Sequence, residues 1–286
     1  MIIVTGTKRS GTSMWMQLLE AAGFPPIGDA FPRNWEKTIK DANPAGFYES
    51  ELRRGIYYAT NPHPKHGTYL FPEQTRRHAV KVFIPGVIKT DRAFIDYVIA
   101  TVRPWRQYVR SVTRLYDMEK EANKEKLTGA RADIPDPVYV PPALEWWAEN
   151  FSLVSDIVTR RYPVYMLAYE SVLTDPAATL TDVFGWLGEG DVDSAIAKVE
   201  PSLRTQRVNE NEQNEVPGVE LEDDVIEAFD DLHDVVRTKR PLEQSFVERL
   251  NAVNEKLSDR VDEAMRAAFQ SQYERKKALE ALRRRN

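Results

Sequence analysis

The chain has 286 residues, 42% of them hydrophobic and 29% charged, with a formal net charge of −5. That composition belongs to a folded globular protein, and its acidic balance argues against a broad nucleic-acid surface. The lack of cysteine excludes disulfides, thiolate metal sites and a cysteine nucleophile. No apolar run approaches the ~18 residues of a membrane span, and the first residues form a strand pattern rather than a signal peptide, so a soluble cytoplasmic protein is expected.

Ile2, Ile3, Val4 and Thr5 read as a buried strand. A loop bounded by Gly6 and Gly11 follows, and Thr12 and Ser13 then open an apolar-periodic helix through Met16, Leu18, Leu19 and Ala22. Strand, glycine-bounded loop and helix form a phosphate cradle: backbone N–H groups converge, the helix dipole adds positive charge, and hydroxyls supply further donors. A nucleotide kinase carries its phosphate-reaching Lys where this chain has Thr12. The cations sit inside the loop instead, at Lys8 and Arg9.

Residues 24–78 are rich in proline and aromatics and read as long loops and short helices over the strand ends, where an open α/β sheet binds substrate. A second strand is expected over Ala79–Ile84, and its Lys81 is costly to bury unless it meets an anion. A third strand, Tyr97–Val102, ends at Arg103, and Pro104 suits the first turn of a helix. Ser111, about two turns on, lies near the face of Arg103. The same helix carries Arg106, Arg110 and Arg114 and reads equally well as a solvated basic surface. Residues 123–142 resemble a mobile loop or lid, and a helix is expected over Ala143–Arg160. A strand over Val164–Ala168 precedes a helix that starts at Asp175-Pro176 and stops at Gly188. After a mixed stretch over 188–218, helical patterns cover 219–238 and 242–284.

Separated strands with intervening helices predict an α/β fold: a central, mostly parallel sheet with helices on both faces. Residues 1–218 are expected to form that domain. Residues 219–286 form a C-terminal helical extension, packed on it or used for self-association as a homodimer.

Four runs together resemble the sulfotransferases that use phosphoadenosine phosphosulfate (PAPS). Lys8-Arg9-Ser10-Gly11-Thr12-Ser13 is similar to the family's first motif, with Lys8 in place of the usual Pro. Arg103 and Ser111 reproduce the spacing of the second. Lys81 to Pro85 is similar to the third, with Phe83 where the family has its catalytic His. Leu167-Ala-Tyr-Glu170-Ser-Val-Leu with Asp175-Pro176 looks like a fourth. The resemblance implies a P-loop-NTPase-like fold, PAPS as co-substrate, its desulfated form PAP as product, and no metal. It implies that Lys8, Arg9, Ser10, Gly11, Thr12 and Ser13 bind the 5′-phosphosulfate, and that Arg9 and Lys81 are catalytic, Arg9 as in Golgi and bacterial members. It assigns Arg103 and Ser111 to the 3′-phosphate. Arg204 and Arg207 fall where a loop returns over the nucleotide, and a plain surface loop is the alternative.

Phe83 cannot take a proton, so the base must come from elsewhere. The best candidate is Glu49, in Asn43-Pro-Ala-Gly-Phe-Tyr-Glu49, with His63, His66 and His78 as rivals. The acceptor is the hydroxyl or amine of a small molecule, lipid, carbohydrate or peptide. Two other readings stand beside this one: a P-loop nucleoside or nucleotide kinase, which needs Lys at position 12, and a non-catalytic PAP-binding or scaffold protein.

Overall fold

Five short strands pair into one all-parallel sheet in a computed structural model that describes residues 1–31, 46–126, 134–199 and 220–285. They are β1 (Ile2–Gly6), β2 (Pro26–Ile27), β3 (Ala79–Lys81), β4 (Tyr97–Val102) and β5 (Val164–Ala168), in the order β2-β3-β1-β4-β5. The helices are α1 (Thr12–Ala21), α2 (Ile84–Lys89), α3 (Trp105–Lys126), α4 (Pro142–Arg160), α5 (Ser171–Thr174), α6 (Pro176–Leu187), α7 (Val192–Lys198), α8 (Asp223–Arg237) and α9 (Gln244–Arg285). The α/β class read from the sequence is the observed one.

β1 is central and buried along its whole length. Strand side chains alternate between faces, so β1 feeds two cores. Ile2 and Val4 join Ile99 and Leu167 against Trp15, Met16 and Leu19 of α1 and Val183 and Phe184 of α6. Ile3 joins Val80, Val98 and Ala100 against Ile84 and Val87 of α2 and Leu153 and Ile157 of α4. Both faces are therefore covered, as a parallel sheet requires.

The chain divides into two compact units. One holds the sheet: Met1–Pro104, the chain from Glu149 through α7, and Leu232–Pro241. The other holds Trp105–Ala148, the part of α8 up to Asp231, and the chain from Leu242 onward. Its centre is Phe229, whose ring stacks on Trp147 at 4.7 Å and Trp146 at 5.2 Å and meets Trp105 edge-on at 5.6 Å. The Tyr108 and Tyr116 hydroxyls each donate to Glu145 Oε2 at 2.9 Å.

The two units are discontinuous along the chain, whereas the sequence reading divides it once, into 1–218 and 219–286. Residues 105–148 group with the C-terminal helices because their aromatic side chains gather on Phe229. The expected boundary itself lies outside the described residues. β3 is also shorter than the expected Ala79–Ile84. Phe83 caps α2 and Pro85 occupies its first turn, which ends the strand at Lys81. The first part of the expected 123–142 loop is helical, since α3 runs to Lys126. No helix among the described residues is long and apolar enough to cross a membrane.

Candidate functional site

β1 hands the chain to the loop at Gly6, whose φ of 153° and surroundings admit no side chain. A Cβ there meets Ser10 Oγ at 2.4 Å and the Thr101 carbonyl at 2.5 Å. Ser10 is fully buried. Its hydroxyl donates to the Thr7 carbonyl at 2.6 Å and lies 3.0 Å from Thr101 Oγ1. That side chain fixes the loop's shape, which leaves the backbone and the neighbouring hydroxyls to meet a ligand. Arg9 takes a left-handed φ of 63° and Gly11 one of 88°. Left-handed residues in such a loop turn consecutive amides to one side. Holding a non-glycine residue like Arg9 there costs about 1–3 kcal/mol, a strain typical of ligand clamps. Gly11 is the N-cap of α1 and no side chain caps the helix, so its first-turn amides keep their donors. Thr7 Oγ1 is a buried hydroxyl without a partner in the same loop. These groups fit an anion.

Lys81 emerges at the end of β3 and is 6% exposed. Its ammonium donates to Glu49 Oε1 and the Phe47 carbonyl at 3.2 Å and to Ser13 Oγ at 3.3 Å. Ser13 Oγ also lies 3.3 Å from the Phe47 carbonyl. Arg53 Nη1 donates to Glu49 Oε2 at 3.2 Å. The fold thus brings Ser13, Glu49 and Lys81 to one point at the start of α1. Burial pulls the Lys81 ammonium below its ordinary pKa, and the charge and hydrogen bond of Glu49 oppose that pull. Arg53 and Arg9 add to the lowering.

Glu49 is positioned by its neighbour. Tyr48 adopts a left-handed φ of 53°, is 6% exposed, and donates its hydroxyl to Glu20 Oε2 of α1 at 2.5 Å. Burial and then Glu20 push the Tyr48 phenol up, so it stays a donor. The anchored Tyr48 sends Glu49 toward Lys81.

Arg103 is buried at the end of β4. Its Nη1 donates to the Arg9 carbonyl at 2.9 Å, and its guanidinium lies 4.8 Å from the Tyr169 ring centre. Tyr169 in turn lies where a Cβ on Gly11 would sit, at 2.7 Å. Arg103 and Tyr169 therefore support the loop itself. Ser111 is buried on α3, in the other compact unit. Arg204 and Arg207 lie outside the described residues. His63 and His66 stack on each other at 3.7 Å, and His78 Nδ1 lies 3.2 Å from the Arg76 carbonyl. The hydrogen bonds of Lys81 and Glu49 among the described residues go to Ser13, Phe47, Arg53 and each other. Among the described residues no group of three or more His, Asp or Glu is placed to hold a metal ion.

A cleft of about 190 Å³ opens beside the loop and draws on the 24–78 segment expected to meet substrate, although Arg53, Arg54 and Lys89 were not singled out in the sequence. Gly6 and Lys8 form one side. Arg53, Arg54 and Tyr57 come from the turn over Glu51–Arg54 and its continuation, and Phe83, Pro85, Gly86 and Lys89 come from the β3–α2 corner. Two glycines seal the junction of those segments. A Cβ on Gly55 meets the Gly86 carbonyl oxygen at 2.2 Å, and a Cβ on Gly86 meets the Arg54 carbonyl carbon at 2.6 Å. The Phe83 amide donates to the Arg53 carbonyl at 2.9 Å. The available signal was the run Glu51-Leu-Arg53-Arg54-Gly55, two cations before a glycine.

No protein-family model matches the chain, and no curated protein matches it. Among solved structures, the sulfotransferase domain of the Synechococcus PCC 7002 olefin synthase is similar at 13% identity and a TM-score of 0.39. The match covers 90% of this chain and 94% of that one.

Proposed function

We propose that this chain is a sulfotransferase that moves a sulfuryl group from PAPS to an acceptor hydroxyl or amine. The observation that supports the reading most is the Lys81–Glu49 pair held on Ser13 at the open end of α1. A base, a cation and a helix N-terminus with free donors are what in-line transfer of a charged group asks of a protein.

The donor set of the loop fits the 5′ end of PAPS: uncapped amides, the Thr12 and Ser13 hydroxyls, and the cations Lys8 and Arg9. Sequence resemblance assigns Arg103 and Ser111 to the 3′-phosphate, with Arg204 and Arg207 as further contacts. PAPS supplies a sulfuryl group on a phosphate leaving group. Lys81 and Arg9 stabilise the negative charge that gathers on the leaving oxygen. Glu49 accepts the proton of the acceptor as its oxygen or nitrogen bonds to sulfur. Among the described residues Glu49 accepts from Lys81 on Oε1 and from Arg53 on Oε2, and a carboxylate oxygen has a second lone pair to take that proton. Phe83, which fills the position of the family His, plays no proton-transfer part.

Calorimetric titration of the full chain with PAP tests the reading. Saturable binding is expected, weakened about tenfold or more by Arg9→Ala. Failure of millimolar PAP to bind or to raise the melting temperature overturns it.

A further inference from the structure

The cleft beside the loop combines an aromatic wall with cationic side chains at its rim. Tyr57 and Phe83 supply aromatic wall, while Lys8, Arg53, Arg54, Lys89 and Glu149 supply charged groups. Arg53 is engaged by Glu49. Arg54 and Lys89 have no carboxylate partner among the described residues, and Lys89 sits 6.0 Å from the Tyr57 ring centre. Exposed cations at the mouth of an apolar cleft offer an anionic ligand charge-assisted hydrogen bonds. The cleft is also tied to the reacting groups: Arg53 lines it and bonds Glu49, and Gly6 and Lys8 belong to the anion loop.

We propose that this cleft is the acceptor subsite and that the acceptor is a small aromatic acid. The inference rests on the sulfotransferase reading for its chemistry. The ring lies against Tyr57 and Phe83, the anionic group meets Arg54 and Lys89, and the hydroxyl is left on the side of Arg53 and Glu49. In the transfer step the acceptor oxygen forms its bond to sulfur and its proton passes to Glu49. The bond from sulfur to the bridging oxygen breaks, and its electron pair leaves with PAP. The Gly55–Gly86 contact closes the wall behind the ring, which suits a small ligand rather than a polymer.

The test uses two probes of the same shape, 4-hydroxyphenylacetate and its neutral amide 4-hydroxyphenylacetamide. Each is titrated calorimetrically into the full chain at low ionic strength, with and without saturating PAP. The carboxylate is expected to bind about tenfold or more tightly than the amide. That preference is expected to vanish in an Arg54→Gln/Lys89→Gln double variant, both side chains being exposed and outside the packed core. The variant should bind PAP as the parent does. Equal binding of the two probes, binding of neither, or a preference that survives the double substitution overturns the proposal. If PAP binds and the aromatic acid does not, the subsite fails and the sulfotransferase reading stands. If the acid binds selectively and PAP does not, the anion-selective cleft stands and the transfer chemistry falls.

Discussion

A lysine inside a parallel sheet is expensive to bury, and Lys81 is buried because Glu49 comes to it at 3.2 Å. If Glu49 takes the acceptor's proton, Glu49→Gln should lower the transfer rate by about a hundredfold or more and leave PAP affinity within about threefold. Steady-state kinetics and calorimetry separate the two effects, and an unchanged rate removes Glu49 from the mechanism. Gly6→Ala should cost about 2–3 kcal/mol in a urea titration, because the added Cβ meets backbone at 2.5 Å in a left-handed conformation. At this scale the readable residues were those whose chemistry is costly: a Lys in a β-branched run, a Glu in an aromatic segment, cations between glycines. Arg103 was read as a phosphate ligand, and the spacing did not show that its Nη1 also donates to the Arg9 carbonyl. A side chain aimed at a backbone carbonyl leaves no trace in composition or spacing. Ser10 is a similar case: its place in the motif did not show that its hydroxyl meets the Thr7 carbonyl and Thr101 Oγ1.

Between elements, the end of β5 is tied to α8 by Glu170, whose Oε1 lies 2.9 Å from His233 Nε2. Burial pushes the Glu170 carboxyl up. The His233 hydrogen bond and charge, with Arg237 behind them, outweigh burial and hold it below its ordinary value of 4.5. A carboxyl depressed in the folded state adds stability above the unfolded value, and that stability is lost as pH falls through 4.5 toward the folded value. Glu170→Gln should therefore reduce stability at pH 6 and make its decline between about pH 5 and 3 shallower, as read by urea titrations across that range. An identical acid-side slope would remove Glu170 from the linkage. Elements with strong end signals were legible. α6 runs from Pro176 to Leu187 as expected, with Asp175 accepting from the Ala178 amide at 3.0 Å and Gly188 at a φ of 76°. The two-residue β2 and the seven-residue α7 were not, since neither is long enough to express a period.

Across the whole chain, α9 divides by burial. Leu250, Val253, Leu257, Val261 and Ala268 are buried, and no described residue after Ala268 is. Phe269 is 72% exposed. A helix end without a packed face contributes little, so deletion of residues 277–286 should change stability by no more than about 0.5 kcal/mol. Thermal unfolding of the shortened chain checks this, and a larger loss would mean the helix end is packed. The α/β class was legible because a parallel sheet needs apolar runs separated by helices. The grouping of 105–148 with the C-terminal helices was hidden, because the stacking of Trp105, Trp146 and Trp147 on Phe229 links positions far apart in the chain. The junction of Gly55 and Gly86 carries a consequence for descent. Each occupies the space the other's side chain would need, so neither codon can drift alone while the wall stands. Genes that inherit this cleft should hold both glycines together, and a lineage that loses one should have released the other and reshaped what it accepts.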